Sequence, residues 1–80
     1  MSRKRKKSQD LLVRRAVGRR VAQIRKKKGL SKYVVSKRAG VHHPVITKIE
    51  EGSCDTRIST LVRIVLALEI KMIDFWKGVK

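Results

Sequence analysis

The sequence predicts an all-α domain built from five short helices. Three observations carry that prediction. Apolar residues recur at spacings of three and four along most of the 80 residues, no run of strand length alternates apolar with polar, and glycines at 29, 40 and 52 stand where one periodic segment gives way to the next. The domain is expected to span residues 10–80. Residues 1–9 hold no apolar side chain after Met1 and five consecutive basic ones, so they are expected to form a disordered basic arm.

Each helix has its own justification. Asp10 is the expected N-cap of the first, where Val13, Val17, Val21 and Ile24 follow at spacings of four, four and three among Arg14, Arg15, Arg19, Arg20 and Arg25. Lys26, Lys27 and Lys28 suit the negative end of its dipole, and Gly29 stops it. Ser31 caps a second helix that runs to Ala39, with Val35 and Ala39 inward, and Gly40 ends it. His42-His43-Pro44 opens a third. Proline in a first turn sacrifices no helical hydrogen bond, and Val41, Ile46 and Ile49 give this helix an apolar side. After Gly52 and a polar loop to Arg57, Ile58, Leu61, Ile64, Val65 and Leu68 mark one face of a fourth helix. Ile70, Ile73, Phe75 and Trp76 mark a last short one.

Charge narrows the function. The chain carries 22 Lys+Arg against 6 Asp+Glu, a formal +16. Residues 1–38 hold sixteen of those basic residues and one acid, Asp10, whereas residues 39–80 are nearly neutral. A polyanion beside the N-terminal half offsets the self-repulsion that so uneven a distribution creates, and nucleic acid is the leading candidate. An anionic membrane fits less well because the apolar residues are needed to close a core. The longest apolar run, Ile64 to Leu68, is far short of a membrane span, and the basic N-terminus lacks the apolar segment of a secretory signal. A soluble cytoplasmic protein is expected. Three aromatic residues cannot line a deep substrate pocket, and no Ser/His/Asp set or carboxylate pair is spaced for catalysis, so no enzyme and no cofactor are expected. Cys54 stands alone, and His42 and His43, adjacent on one helix, point about 100° apart, so no metal site is expected.

Two helices joined by a tight turn at a glycine, Ser31–Ala39 and His42–Glu51, form the remaining constellation. Ser36 must be small where the next helix crosses, Gly40 must take positive φ, and Ile46 must lock the pair together; glycine after four residues and an aliphatic after six more match the helix-turn-helix signature. Together with VGRRVAQIRKKKGLSKYVVSKRAGV, VITKIEEG and ISTLVRIVLALEI, this stretch resembles the Cro/C1 (XRE) family of lambda-repressor-like DNA-binding domains. The resemblance covers Val17 to Trp76 and includes Arg25, the Gly29-Leu30-Ser31 opening and the Ile49-Glu50-x-Gly52 exit.

That resemblance implies five helices, with the third in the DNA major groove and the second crossing the backbone above it. His43, Pro44 and Lys48 fall on base-reading positions, with His42 at the N-cap and Thr47 flanking. Lys48 can donate to guanine, a histidine can donate or accept, and the Pro44 ring can touch a thymine methyl; Pro44 departs from the family, since it cannot make the bidentate amide contact of a Gln there. Phosphate contacts are implied for Ser31, Lys32, Tyr33, Arg38 and Arg57. Arg3, Lys4, Arg5, Lys6 and Lys7 would wrap the duplex or enter a minor groove, the rival readings being a nuclear localisation signal or a non-specific tether. The pair Arg25–Glu50 is implied as a structural salt bridge, and Ile73, Phe75 and Trp76 as a homodimer interface suited to an inverted-repeat operator. The function implied is a dimeric transcriptional repressor or autoregulator that binds double-stranded DNA. Its rivals are a protein-interaction module, either an antitoxin that meets a toxin directly or a coactivator-like bridge, and a non-specific nucleic-acid binder.

Overall fold

A computed structural model describes residues 7–79, with side chains from Leu11 onward. Five helices follow in order: α1 (Lys7–Lys27), α2 (Lys32–Ala39), α3 (His43–Glu51), α4 (Ile58–Ala67) and α5 (Met72–Lys77). Among the described residues there is no strand, and no helix is long and apolar enough to cross a membrane. Contacts chain the elements together: α1 packs on α3, α3 on α2, α2 on α4, and α4 on α5. The core lies between them. Val21, Val35, Ile46, Ile64, Val65, Leu68 and Phe75 are its most enclosed large side chains, so every helix contributes at least one.

The start of α1 corrects the expectation for Asp10. The helix begins at Lys7, so Asp10 lies inside it rather than capping it, and Lys7 to Gln9 are helical rather than arm. Gln9, Leu11, Leu12, Arg14 and Arg15 are good helix formers with no glycine or proline among them, and a helix already nucleated downstream propagates back through such residues. Arg3, Lys4, Arg5 and Lys6 lie outside the described residues.

Two apolar residues expected inside are outside. Val13 is 62% exposed, because α1 passes the end of α3 at Arg15, which touches Gly52, and the preceding turn has run beyond its packing partner. Ile58, 74% exposed, occupies the first position of α4, one turn before Leu61, Ile64, Val65 and Leu68 enter the core. At the other end of α4 no glycine is present, and Glu69 takes the left-handed conformation itself at φ 58°. Lys28 Nζ donates to its carbonyl at 2.9 Å, tying the C-terminal end of α1 to this turn.

At Gly18 two helices approach through their backbones. Gly18, midway along α1, faces the last turn of α3 so closely that a Cβ there would land on the carbonyl oxygen of Ile49 and within 2.8 Å of that of Glu50. Gly18→Ala therefore separates α1 from α3. In an open helix the same change stabilises by about 1 kcal/mol; here it is expected to destabilise by about 3 kcal/mol, as overpacking against a rigid backbone does. Thermal unfolding reads the sign directly, and an unchanged or raised Tm contradicts the packing.

Candidate nucleic-acid interface

Local sequence shapes both helices of the turn. Ser31 adopts extended backbone (φ −81°, ψ 160°), and its Oγ accepts from the Val34 amide at 3.1 Å, so α2 starts there. Ser36 is buried, its hydroxyl donating back to the Tyr33 carbonyl at 2.7 Å, which leaves no polar atom stranded at the crossing with α3. Gly40 ends α2 at φ 70°, where the amides of Gly40 and Val41 donate to the Lys37 and Ser36 carbonyls at 3.3 and 3.0 Å. Two residues later α3 begins, with His42 as its extended cap residue and Pro44 in the first turn. Ile46, fully enclosed, fastens α3 to the core.

With Ile46 and Ile49 facing inward, the opposite face of α3 is left for solvent. His43, Pro44, Lys48 and Glu51 are exposed there, and Thr47 is half-buried. His42 is exposed too and makes no side-chain capping bond. Pro44 has no amide hydrogen, and the Val45 amide turns back to the His42 carbonyl at 2.9 Å. The N-terminal end of α3 therefore offers side chains to a partner. The Lys48 carbonyl accepts from the amide and hydroxyl of Ser53 at 2.9 and 3.2 Å, so its backbone is pinned while its ammonium is free to reach outward. Glu51, which sequence reasoning passed over, sits three residues beyond Lys48 on the same edge. Its carboxylate can accept from a cytosine amino group and repels phosphate. The signal was its i+4 spacing from Thr47.

The start of α2 lies beside this edge. Lys32 Nζ donates to Thr47 Oγ1 at 3.4 Å, bridging the two helices, and Ser31 and Tyr33 are exposed on either side of it in sequence. The Lys37 ammonium stands 5.4 Å from the centre of the Tyr33 ring, a cation–π contact that adds charge to the same end. The site thus gathers Ser31, Lys32 and Tyr33 with His42, His43, Pro44, Thr47 and Lys48. Arg38 is elsewhere, near the C-terminal end of α2, with its guanidinium 4.0 Å from the Glu69 carboxylate. Arg57 is exposed at the cap of α4.

One ion pair sets how α3 is presented. Arg25 Nε and Nη2 donate to the two carboxylate oxygens of Glu50 at 2.7 and 3.1 Å, and its Nη1 donates to the Leu30 carbonyl at 3.0 Å. One guanidinium so joins the end of α1, the entry to α2 and the last turn of α3. The side chains are only 10% and 7% exposed, which makes the pair short, forked and weakly screened.

At the far end of the chain the expected interface set divides. Ile73 and Trp76 are 64% and 43% exposed on α5. Phe75 is fully buried in its own domain and presents no surface to a second chain. On so short a helix one large side chain must turn inward to hold it, and Phe75 does so with Trp76 packed edge-on at 5.3 Å.

A helix-turn-helix family profile matches residues 21–75, from the middle of α1 to the middle of α5. The chain belongs to the helix-turn-helix family of transcriptional regulators, of the Cro/C1 type. Among solved structures it is similar to the restriction-modification controller protein C.Esp1396I, at 25% identity and a TM-score of 0.78 over 86% of this chain and 88% of that one. The controller protein C.AhdI from Aeromonas hydrophila shares the fold at 23% identity and a TM-score of 0.72, over 80% of this chain and 94% of that one. So does the clp gene regulator ClgR from C. glutamicum, at 19% identity and a TM-score of 0.79 over 84% and 87%. C.Esp1396I has also been solved as a tetramer in complex with its natural 35 base-pair operator. Among curated proteins, none matches the chain.

Removing one partner of a nearly buried pair strands the other charge. Glu50→Ala is expected to cost about 3 kcal/mol and lower Tm by about 10 °C or more. A melting curve indistinguishable from the unaltered protein contradicts the role given to the pair.

Proposed function

We propose that this protein is a sequence-specific regulator that binds double-stranded DNA as a homodimer, reading an inverted-repeat operator in the major groove with α3. The observation that carries the reading is the exposed edge of α3, where His43, Pro44, Thr47 and Lys48 stand beside the phosphate-binding groups at the start of α2. Lys48 donates to guanine O6 or N7, His43 pairs with a base edge or a phosphate, and the Pro44 ring packs on a thymine methyl. Ser31, Lys32, Tyr33 and Arg57 hold phosphates, Arg38, set apart at the other end of α2 beside Glu69, adds only to the overall positive field, and the basic residues Arg3 to Lys7 add contacts that are steep in salt and indifferent to sequence.

The homodimer follows from the exposed Ile73 and Trp76 on α5 and from the geometry of reading two half-sites one helical turn apart. Support for a regulatory role comes from the fold shared with controller proteins, one of them solved on its operator. Acting as a repressor or autoregulator in the cytoplasm, the protein would respond to its own concentration through dimerisation.

Selection of bound duplexes from a random library at about 0.15 M salt, where the Debye length is about 8 Å, tests this reading. It is expected to enrich an inverted repeat with half-sites about one turn apart. Lys48→Ala is expected to cost about 1–3 kcal/mol and relax preference at one position of each half-site, whereas Arg57→Ala weakens all sequences alike and lowers the salt slope by about 1. No enriched motif, or a Lys48→Ala protein with unaltered preference, contradicts base reading by α3.

A further inference from the structure

The side chain of Arg20 does something different from its basic neighbours on α1. Its Nε donates to the Phe75 carbonyl at 2.9 Å and its Nη2 to the Asp74 carbonyl at 2.8 Å, while Nη1 donates to Gln23 Oε1 at 2.8 Å, which orients the fork. Asp74 and Phe75 lie in the last four positions of α5, where carbonyls have no partner within the helix itself; that of Phe75 also accepts from the capping amide of Gly78 at 3.2 Å. A guanidinium there also meets the negative end of the helix dipole. Room for it is made by Gly78: a Cβ at that position would land on the Arg20 guanidinium.

α5 has only six residues, too few to hold a helix unaided, so its direction is set by what grips it. The buried Phe75 ring fixes one point. The Arg20 fork fixes the carbonyl end, and two separated points define an axis. Trp76 and Ile73 project from that axis into solvent, and their direction is inherited from it.

We infer that Arg20 is a positioning residue for self-association: by gripping the carbonyl end of α5 it presets the face that Trp76 and Ile73 offer to a second copy of the chain. This rests on the homodimer proposed above. With the grip intact the second copy meets an ordered face. Without it, α5 stays helical on its Phe75 anchor but its direction is loose, and association must fix that direction first.

The test compares dimer dissociation constants by sedimentation for the full chain and for Arg20→Gln, Gly78→Ala and Trp76→Ala, with helical content followed by circular dichroism. Gly78→Ala displaces the guanidinium while leaving Arg20 and the net charge in place, and Gly78 has no positive φ to strain. Both Arg20→Gln and Gly78→Ala are expected to keep their helical content at 25 °C and to raise the dissociation constant about tenfold or more, the equivalent of one charge-assisted hydrogen bond. If Arg20→Gln fails to fold, Gly78→Ala decides. A dimer weakened by Trp76→Ala but untouched by Gly78→Ala overturns the role of Arg20 while the dimer stands. A full chain that is monomeric with and without DNA overturns both.

Discussion

The contact of α1 with α3 governs the rest of the molecule. At Gly18 the two helices approach to backbone contact, and seven residues further along α1 the forked pair Arg25–Glu50 fixes the last turn of α3 from the side. The first constraint sets distance and the second sets rotation. With both in place Ile46 and Ile49 must point into the core, and the edge carrying His43, Pro44 and Lys48 must point out. Base reading needs this rigidity, because a donor displaced by an ångström no longer meets its acceptor in line. The same guanidinium bonds the Leu30 carbonyl, so the entry to α2, and with it Ser31 and Lys32, is registered to α3 by one side chain.

Charge is disposed in keeping with this geometry. The N-terminal half carries almost all of the excess, yet its arginines have diverged in task. Arg25 is enclosed and structural, Arg20 grips backbone carbonyls, and Arg15 and Arg19 remain exposed to add to the field around the molecule. Phosphate attraction of that kind brings a duplex near without choosing among sequences. On the proposed reading, choice falls to the few side chains on α3, among which the carboxylate of Glu51 would penalise misplaced phosphate.

The parts of the fold that were legible in sequence are those set within a few residues. Ser31, Gly40 and Pro44 start, stop and restart helices through their own backbone preferences, and the turn that positions α3 could be read from them. The pairing of Arg25 with Glu50 spans 25 residues and became an expectation only through family resemblance. What was not legible depended on where distant elements end. Val13 and Val17 share one spacing pattern, but α3 stops between them in space, so one is exposed and the other buried. Arg19 and Arg20 are adjacent and chemically identical, and only the position of α5, more than 50 residues away, separates a solvated charge from a clamp. Phe75 and Trp76 divide the same way: a six-residue helix cannot bury both, and which one turns inward is decided by the core it meets.

The most direct measurement is methylation interference on a selected duplex, since methyl groups on guanine N7 and adenine N3 mark the floors of the major and minor grooves separately. If α3 is held outward by its contacts with α1, N7 methylation should block binding at two clusters about one helical turn apart on one face of the DNA, while N3 methylation between them is tolerated. Interference by N3 methylation alone, or by neither, would show that α3 does not enter the major groove, and the presentation of α3 by α1 would then serve some other purpose.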